Sequence, residues 1–221
     1  MNGFKDLAIN QIVADAIIND IKEKVMLCCD MMEKDLSKAG KKINNNELVI
    51  RDYLLEGYLQ NNAIRRQLKM LEFLFQPEVR EKASSTVSNK YGNVDIKILI
   101  RKLSFDDTKA YFIIECKRID GTITLNGKYV ADGVCRFVSK NSYYSTYKNN
   151  NFMLGFVIKN IDINNNAKII SNIQDYQKDI SVYQPFSRQS QNTFVYSSKY
   201  YHKFKIVELI HIFYDFSRVV S

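Results

Sequence analysis

Two neighbouring segments that alternate apolar and polar residues constrain the fold of this 221-residue chain more than any other feature. In NVDIKILIR, residues 93–101, every second residue from Val94 to Ile100 is apolar, which is typical of a half-buried strand. Residues 110–117, AYFIIECK, form a second strand pattern, and residues 104–108 between them favour a turn. The sequence therefore predicts a hairpin whose second strand ends in an acid and a lysine two residues apart.

The rest of the chain mixes helical and strand patterns, which favours an α/β or α+β fold with a mixed sheet, and we adopt α/β. We expect a helical extension at 1–43 and one compact domain at 44–221. Residues 78–92 are polar and irregular, and no strand is predicted there. Periodicity predicts helices at about 5–36, 47–70, 127–141, 167–180 and 205–218, and further strands at 152–158 and 193–197.

The chain is basic, with a net charge of +8 and a pI near 9.2, which suits an anionic partner such as nucleic acid. A basic but inert surface is the alternative. No apolar run approaches the roughly 18 residues that span a bilayer, and no signal sequence is evident, so we expect a cytoplasmic protein without a membrane partner. Four cysteines without metal-site spacing and two histidines argue against structural zinc and favour reduced thiols.

Three side chains of the predicted hairpin point to metal-dependent chemistry. A turn centred near residues 105–106 would place Asp95 opposite Cys116 or Lys117, on the same side of the sheet as Glu115. Mg²⁺ prefers oxygen ligands, and Asp95, Glu115 and the backbone carbonyl of Cys116 supply three, with Mn²⁺ as a substitute. Lys117 would orient or help to deprotonate the attacking water and offset charge on the phosphate.

The order of these residues resembles the PD-(D/E)XK nuclease superfamily, which includes restriction endonucleases. Val-Asp at 94–95 and Glu-Cys-Lys at 115–117 carry the resemblance, with Val94 in place of the signature proline. The resemblance implies a restriction-endonuclease-like core, a mixed sheet flanked by helices. It also implies an extra acid on the helix before the hairpin, where Glu47 would tune a second metal site. Alternatively, Glu47 only favours a helix N-terminus electrostatically.

Residues 128–160 resemble a block found in some restriction-type or defence-type nucleases of that superfamily. At helical spacing Tyr129, Arg136 and Lys140 lie near one face, which would contact nucleic-acid phosphates. Lys148, within a tyrosine-rich loop that could stack on bases, is a further candidate for nucleic-acid binding. The alternatives are a surface arginine with a buried stem and tyrosines that cap the fold.

Together these features predict a Mg²⁺-dependent nuclease of the PD-(D/E)XK type that favours DNA. The resemblance implies a place in bacterial restriction or phage defence, with a homodimer or an ATPase or sensor subunit as partner. Three other interpretations remain. Glu115 and Lys117 could be a solvated strand end, the fold could carry a non-catalytic nucleic-acid-binding or partner-binding protein, or the long first helix could belong to a structural subunit.

Overall fold

A seven-stranded mixed β-sheet with helices on both faces forms the centre of the molecule. The computed structural model describes residues 3–82, 91–101, 103, 107, 110–140, 142, 144, 147–191 and 193–221. The strand order is β1-β2-β3-β4-β7-β6-β5. The strands are β1 (Phe73–Lys82), β2 (Tyr91–Ile100), β3 (Tyr111–Ile119), β4 (Asn150–Val157), β5 (Val182–Arg188), β6 (Val195–His202) and β7 (Lys205–Asp215).

The helices fall into two layers, one on each face of the sheet. Two of them continue into π-helical turns, Leu55–Leu59 after α2 and Val130–Val134 after α4, and a 3₁₀ turn at Tyr147–Asn149 precedes β4. The helices are α1 (Gly3–Lys38), α2 (Glu47–Leu54), α3 (Asn62–Gln67), α4 (Ile123–Tyr129), α5 (Cys135–Val138) and α6 (Ile163–Asp175).

Both faces of the sheet are buried. One apolar cluster joins α1 and α2 to strand residues such as Ile114 and Leu154, and a second joins α4, α5 and α6 to Ile113 and Met153. The inner strands β3 and β4 pair in parallel and are buried along nearly their whole length, as strands covered on both faces must be. The hydrophobic core therefore lies in two layers about the sheet.

Several sequence predictions are confirmed. The first helix, the hairpin strands β2 and β3, and the glycine-containing strand β4 lie where the patterns place them, to within a few residues. The helix predicted at 167–180 begins earlier, at Ile163, because the Asp162 side chain caps it by accepting a hydrogen bond from the Asn165 backbone N–H at 3.0 Å. The helix predicted at 47–70 is divided into α2, a π-helical turn and α3. The predicted turn at 104–108 lies, except for Asp107, outside the described residues.

The predicted C-terminal helix at 205–218 is wrong, because this segment forms β7, an inner strand between β4 and β6. Its central residues are buried on both faces, so its apolar pattern carries no period of two. Edge strands β1 and β5 were not predicted, since both are largely polar and contain prolines, Pro77 and Pro185, which edge strands tolerate. Residues 78–82 are thus strand rather than irregular.

The hairpin register also differs from the prediction. Ile96 pairs with Ile114, so Asp95 lies level with Glu115 rather than with Cys116 or Lys117. On its other side, β2 pairs with β1 in a constant register, within which Glu78, between the paired residues Pro77 and Val79, adopts a left-handed φ of 43°. The observed β2–β3 register keeps Asp95 beside the end of β3.

The segment before α2 is tied to the last residues of the chain. Ile43 donates its backbone N–H to the Val219 carbonyl at 2.9 Å and accepts from Ser221 at 3.0 Å. The backbone N–H of Asn45 donates to the Ser221 carbonyl at 3.0 Å. This short pairing fixes the start of α2 against the sheet. Within the described residues, no helix combines the length and apolar character needed to cross a bilayer.

Candidate active site

The predicted site residues of β3 are buried side by side at the end of that strand. Glu115 and Lys117 point toward the layer of α4 and α5, as their spacing of two residues requires. Glu115 is fully buried and Lys117 nearly so. A solvated strand end would expose both side chains, so this alternative does not describe the structure.

The Lys117 ammonium is surrounded by oxygen atoms. Its Nζ lies 2.7 Å from Glu115 Oε1, 2.8 Å from the Cys116 carbonyl oxygen and 3.1 Å from Glu47 Oε1. Asp95 Oδ2 is 3.9 Å away. Burial by itself lowers the pKa of Lys117, but the carboxylates of Glu115, Asp95 and Glu47 outweigh burial and raise it above its ordinary value. Lys117 is therefore a cation here, and it donates hydrogen bonds rather than accepting a proton.

Asp95 is held at the site by two donors. Its Oδ2 accepts from the Cys116 backbone N–H at 2.8 Å, and its Oδ1 accepts from Arg51 Nη1 at 3.3 Å. The first bond connects β2 to the end of β3 beyond the last residue pair of their ladder, Ile96 with Ile114. The carboxylate and the Cys116 carbonyl thus lie at the same point of the hairpin.

Glu47, the first residue of α2, reaches the same point from the helix. The Asn46 side chain caps α2 by accepting from the Leu48 N–H at 2.9 Å. Glu47 Oε1 then contacts Lys117, and its Oε2 accepts from the Arg118 backbone N–H at 3.0 Å. Glu47 therefore does more than favour a helix start, because it connects α2 to β3.

Glu115 has a donor for each carboxylate oxygen. Oε1 contacts Lys117 and Arg136 Nη1, the latter at 2.9 Å, and Oε2 lies 2.8 Å from the Tyr144 hydroxyl. Burial, followed by the charge of Asp95, raises the pKa of Glu115 to about 7 against the opposing effect of both cations. This carboxyl group is poised to change charge near neutral pH.

Arg136 and Tyr144 belong to the carboxylate cluster. Arg136 Nη1 also donates to the Tyr144 hydroxyl at 2.8 Å, and that hydroxyl lies 2.6 Å from the Asn93 carbonyl oxygen. Arg136 was expected to contact nucleic acid, and its side chain, one-third exposed, still reaches the cleft beside the cluster. Its position suits a residue that both orients Glu115 and faces a bound anion.

Arg51 is a member of the site that sequence reasoning missed. It lies one helical turn after Glu47 and is nearly buried, with ion pairs to Asp52 at 2.7 Å, Glu78 at 2.9 Å and Asp95 at 3.3 Å. The spacing of four residues from Glu47 on one helix face was the available signal. Tyr144 belongs to the tyrosine-rich loop that was predicted to stack on bases or to cap the fold. Nothing in its local sequence indicates its contact with Glu115.

The structure does not bring the other predicted nucleic-acid contacts to the cluster. Tyr129 is fully buried, and its hydroxyl lies 2.8 Å from His211 Nδ1, so the prediction that it contacts nucleic acid is wrong. The face of α4 that carries Tyr129 packs on the sheet, and helical spacing alone does not distinguish such a buried face from an exposed one. Lys140 is exposed in a neighbouring groove, and Lys148 is exposed in the 3₁₀ turn before β4.

A polar cleft of about 920 Å³ opens over the cluster. Its walls come from α2, the strands β1, β2 and β3, the π-helical turn after α4, helix α5 with the residue after it, and the segment after α6. The lining residues are Glu47, Leu48, Arg51, Glu78, Gly92, Asn93, Asp95, Lys117, Ala131, Asp132, Cys135, Arg136, Ser139, Gln177 and Asp179. Glu47, Asp95 and Lys117 of the cluster thus line the cleft, whereas Glu115 lies buried beneath it.

The oxygen atoms of the cluster are of the kind that bind hard divalent cations. No three His, Cys, Asp or Glu side chains in the described part of the chain are arranged as a ready metal site. Instead, one positive group, Lys117 Nζ, lies within 4 Å of oxygen atoms from Asp95, Glu115 and the Cys116 carbonyl. Carboxylate and carbonyl oxygens are ligands that Mg²⁺ and Mn²⁺ prefer, so the predicted donors fit such an ion.

Comparison of the chain with protein-family models, with curated proteins and with solved structures finds no match.

Proposed function

We propose that the chain is a Mg²⁺-dependent nuclease of the PD-(D/E)XK type, built on a restriction-endonuclease-like core. The observation that carries the proposal is that Lys117 contacts Glu115, Glu47 and the Cys116 carbonyl at the end of a β2–β3 hairpin, with Asp95 beside them. Four side chains from three separate segments, α2, β2 and β3, converge there. A helix before the hairpin and a parallel β3–β4 pair after it support the same core.

In this proposal Asp95, Glu115 and the Cys116 carbonyl hold the metal ion, and Glu47 tunes a second site. A bound Mg²⁺ supplies a more acidic water and charge stabilisation at the phosphate. Lys117, kept protonated by its carboxylate neighbours, donates hydrogen bonds to the phosphate or the water. Arg136 and Tyr144 fix the orientation of Glu115 through its two oxygen atoms.

The substrate is nucleic acid, with DNA favoured. The net charge of +8 supports an anionic polymer, and in the cleft the cations Arg51, Lys117 and Arg136 lie among acids that a bound divalent ion would help to neutralise. We further propose a cytoplasmic role in restriction or phage defence, in which the chain acts as a homodimer or with an ATPase or sensor subunit.

A non-catalytic nucleic-acid-binding or partner-binding protein on the same fold is the second candidate. The specific observation in its favour is that Lys117, Arg136 and Arg51 already neutralise the carboxylates. A binding protein needs no metal to complete this arrangement. The two candidates therefore differ in whether a divalent ion binds at Asp95 and Glu115.

Cleavage of supercoiled plasmid, single-stranded circular DNA and RNA with Mg²⁺ or Mn²⁺ tests the proposal. We expect Asp95→Asn, Glu115→Gln and Lys117→Ala to lose at least about 100-fold in cleavage rate, because the first two remove proposed metal ligands and the third removes the cation that donates to the phosphate or the water. Glu56→Gln is the matched control, since Glu56 is exposed on the π-helical turn after α2 and does not line the cleft.

Calorimetric titration with Mn²⁺ distinguishes the candidates where no cleavage occurs. A nuclease that needs a partner still binds Mn²⁺ and loses it in Asp95→Asn, whereas the binding protein gives no heat at this site in either form. Cleavage that survives in Glu115→Gln would refute the assigned site. Thermal unfolding of each variant shows that it is folded.

A further inference from the structure

Three grooves on the surface share residues and form one continuous path. A groove of about 320 Å³ shares Glu47, Lys117, Asp132 and Arg136 with the central cleft. A third groove, of about 300 Å³, shares Asp179 with the cleft and no residue with the second groove. We call this sequence of grooves the strand path, with the carboxylate cluster in its middle.

The first end of the strand path is basic. Beyond the residues it shares with the cleft, this groove is lined by Arg118 and Lys128 together with Asn45, Asn46 and Leu125. Lys128 is exposed on α4, and Arg118 Nη1 donates to the Asn45 carbonyl at 2.7 Å, which holds its guanidinium at the groove. A phosphate leaving the cluster in this direction meets two cations.

The other end of the strand path combines lysines with aromatic rings. Lys140, Lys178 and Lys203 line this groove, against one acid, Asp179. The backbone N–H of Lys140 donates to the Asp179 carbonyl at 3.2 Å, which connects α5 to the segment after α6. Because lysines outnumber acids in its lining, this groove favours an anion.

Tyr201 lies in the wall of this groove and forms a pair with Tyr183 of the edge strand β5. The ring centroids are 4.8 Å apart at an interplanar angle of 68°, and the residues are 53% and 50% exposed. The Tyr201 backbone N–H donates to the Ser181 carbonyl at 2.8 Å, so the backbone position is fixed. Exposed, fixed aromatic rings beside lysines are what single-stranded nucleic acid uses, with bases stacked and phosphates paired.

We propose that a single-stranded segment of substrate follows the strand path, with an unpaired base stacked on Tyr201, against which Tyr183 packs, and its phosphates on the neighbouring lysines. The inference rests on the proposed nuclease function and specifies its substrate as nucleic acid that is unpaired on the tyrosine side of the cut. A base held in a duplex cannot present its face to a side chain, so a blunt duplex gains nothing from the two rings.

Fluorescence anisotropy with a labelled oligothymidylate in EDTA tests the inference without cleavage. We expect Tyr201→Ala combined with Tyr183→Ala to weaken binding about 10-fold or more, in the range of stacking effects measured by alanine substitution. Tyr201→Phe keeps the ring and should bind as the wild type does. Tyr53→Ala is the matched control, because Tyr53 is exposed on α2 and lines none of the three grooves.

Two further measurements sharpen the test. A blunt duplex should bind the wild type and the double variant equally. Lys178→Gln should reduce the slope of log affinity against log salt by about 0.7, the value for one phosphate contact on a single strand.

The inference is overturned if the double variant binds oligothymidylate as the wild type does, if the duplex loses as much affinity as the single strand, or if the wild type binds no oligothymidylate. Its failure is distinct from failure of the proposed function. Tyrosine-dependent binding without metal-dependent cleavage supports the strand path and refutes the nuclease, and metal-dependent cleavage without tyrosine dependence does the reverse.

Discussion

His211 should make folding stability depend on pH in a way that a single substitution removes. It lies in β7 and is fully buried, with Nδ1 at 2.8 Å from the Tyr129 hydroxyl and Nε2 at 2.7 Å from Ser198 Oγ. The Phe186 ring lies 4.1 Å from it, centroid to centroid. Burial lowers the pKa of His211 from 6.5 to about 3, so the folded protein keeps the imidazole neutral.

The size of the effect follows from proton linkage. Between pH 3 and 6.5 the unfolded chain binds a proton at this residue and the folded chain does not, so stability is complete above 6.5 and falls as the pH is lowered. At about pH 5 an unfolded imidazole is protonated roughly 30 times more often than it is neutral. The free energy of unfolding should therefore be about 2 kcal/mol lower at pH 5 than at pH 7.5 because of His211 alone.

Urea unfolding at the two pH values measures this effect. Carboxyl groups also contribute to acid destabilisation, so the relevant quantity is the difference between the wild type and His211→Gln, which does not titrate. We expect the variant to lose about 2 kcal/mol less than the wild type between pH 7.5 and 5. His202→Gln replaces the chain's other histidine and should keep most of the wild-type dependence. Equal losses in the wild type and His211→Gln would refute the argument that burial keeps His211 neutral.

Three other predictions concern the site and the sheet beneath it. Lys117→Met should destabilise the protein by about 3 kcal/mol at neutral pH, because it removes the cation that lies among the carboxylates of Glu47 and Glu115. Mn²⁺ should raise the melting temperature of this variant more than that of the wild type. An equal rise in both would contradict the expected metal site. Arg136→Met should raise the pKa of Glu115 above about 7, since Arg136 lowers it, and a carboxyl titration followed by infrared spectroscopy would show the shift. Gly155→Ala should cost about 1–3 kcal/mol in thermal unfolding, because a Cβ would collide with the Phe213 ring, whereas Gly57→Ala, with nothing within 4 Å, should cost little. Similar melting temperatures for both variants would argue against close packing at Gly155.

The strands that sequence reasoning could locate are those with one clear pattern. Alternation of apolar and polar residues identified β2, and a short apolar run identified β3 and β4. The same reasoning failed for β7, because a strand buried on both faces loses its alternation and resembles a buried helix. It failed for β1 and β5 for the opposite reason, since edge strands exposed to solvent are polar and tolerate proline.

The site residues also differ in how far the sequence could predict them. Asp95, Glu115 and Lys117 could be placed together because strand periodicity and a hairpin relate them over about twenty residues. Glu47 followed from a resemblance to a family pattern rather than from spacing. The contacts of Tyr144 and Arg136 with Glu115 could not be predicted, because they depend on how α5 and the segment after it cross the sheet. That crossing is a tertiary feature, and no local pattern encodes it.

The position of β7 has a consequence for how the chain is made. It is the last strand in sequence, yet it lies inside the sheet between β4 and β6. A ribosome therefore releases six strands before the seventh can join them, and until then β4 and β6 each present a row of unfilled backbone donors and acceptors. Ile43 also pairs with Val219 and Ser221, so the segment before α2 gains these backbone hydrogen bonds only after β7 has been made. Folding of β7 into the sheet therefore completes two ladders at once, the parallel one with β4 and the antiparallel one with β6.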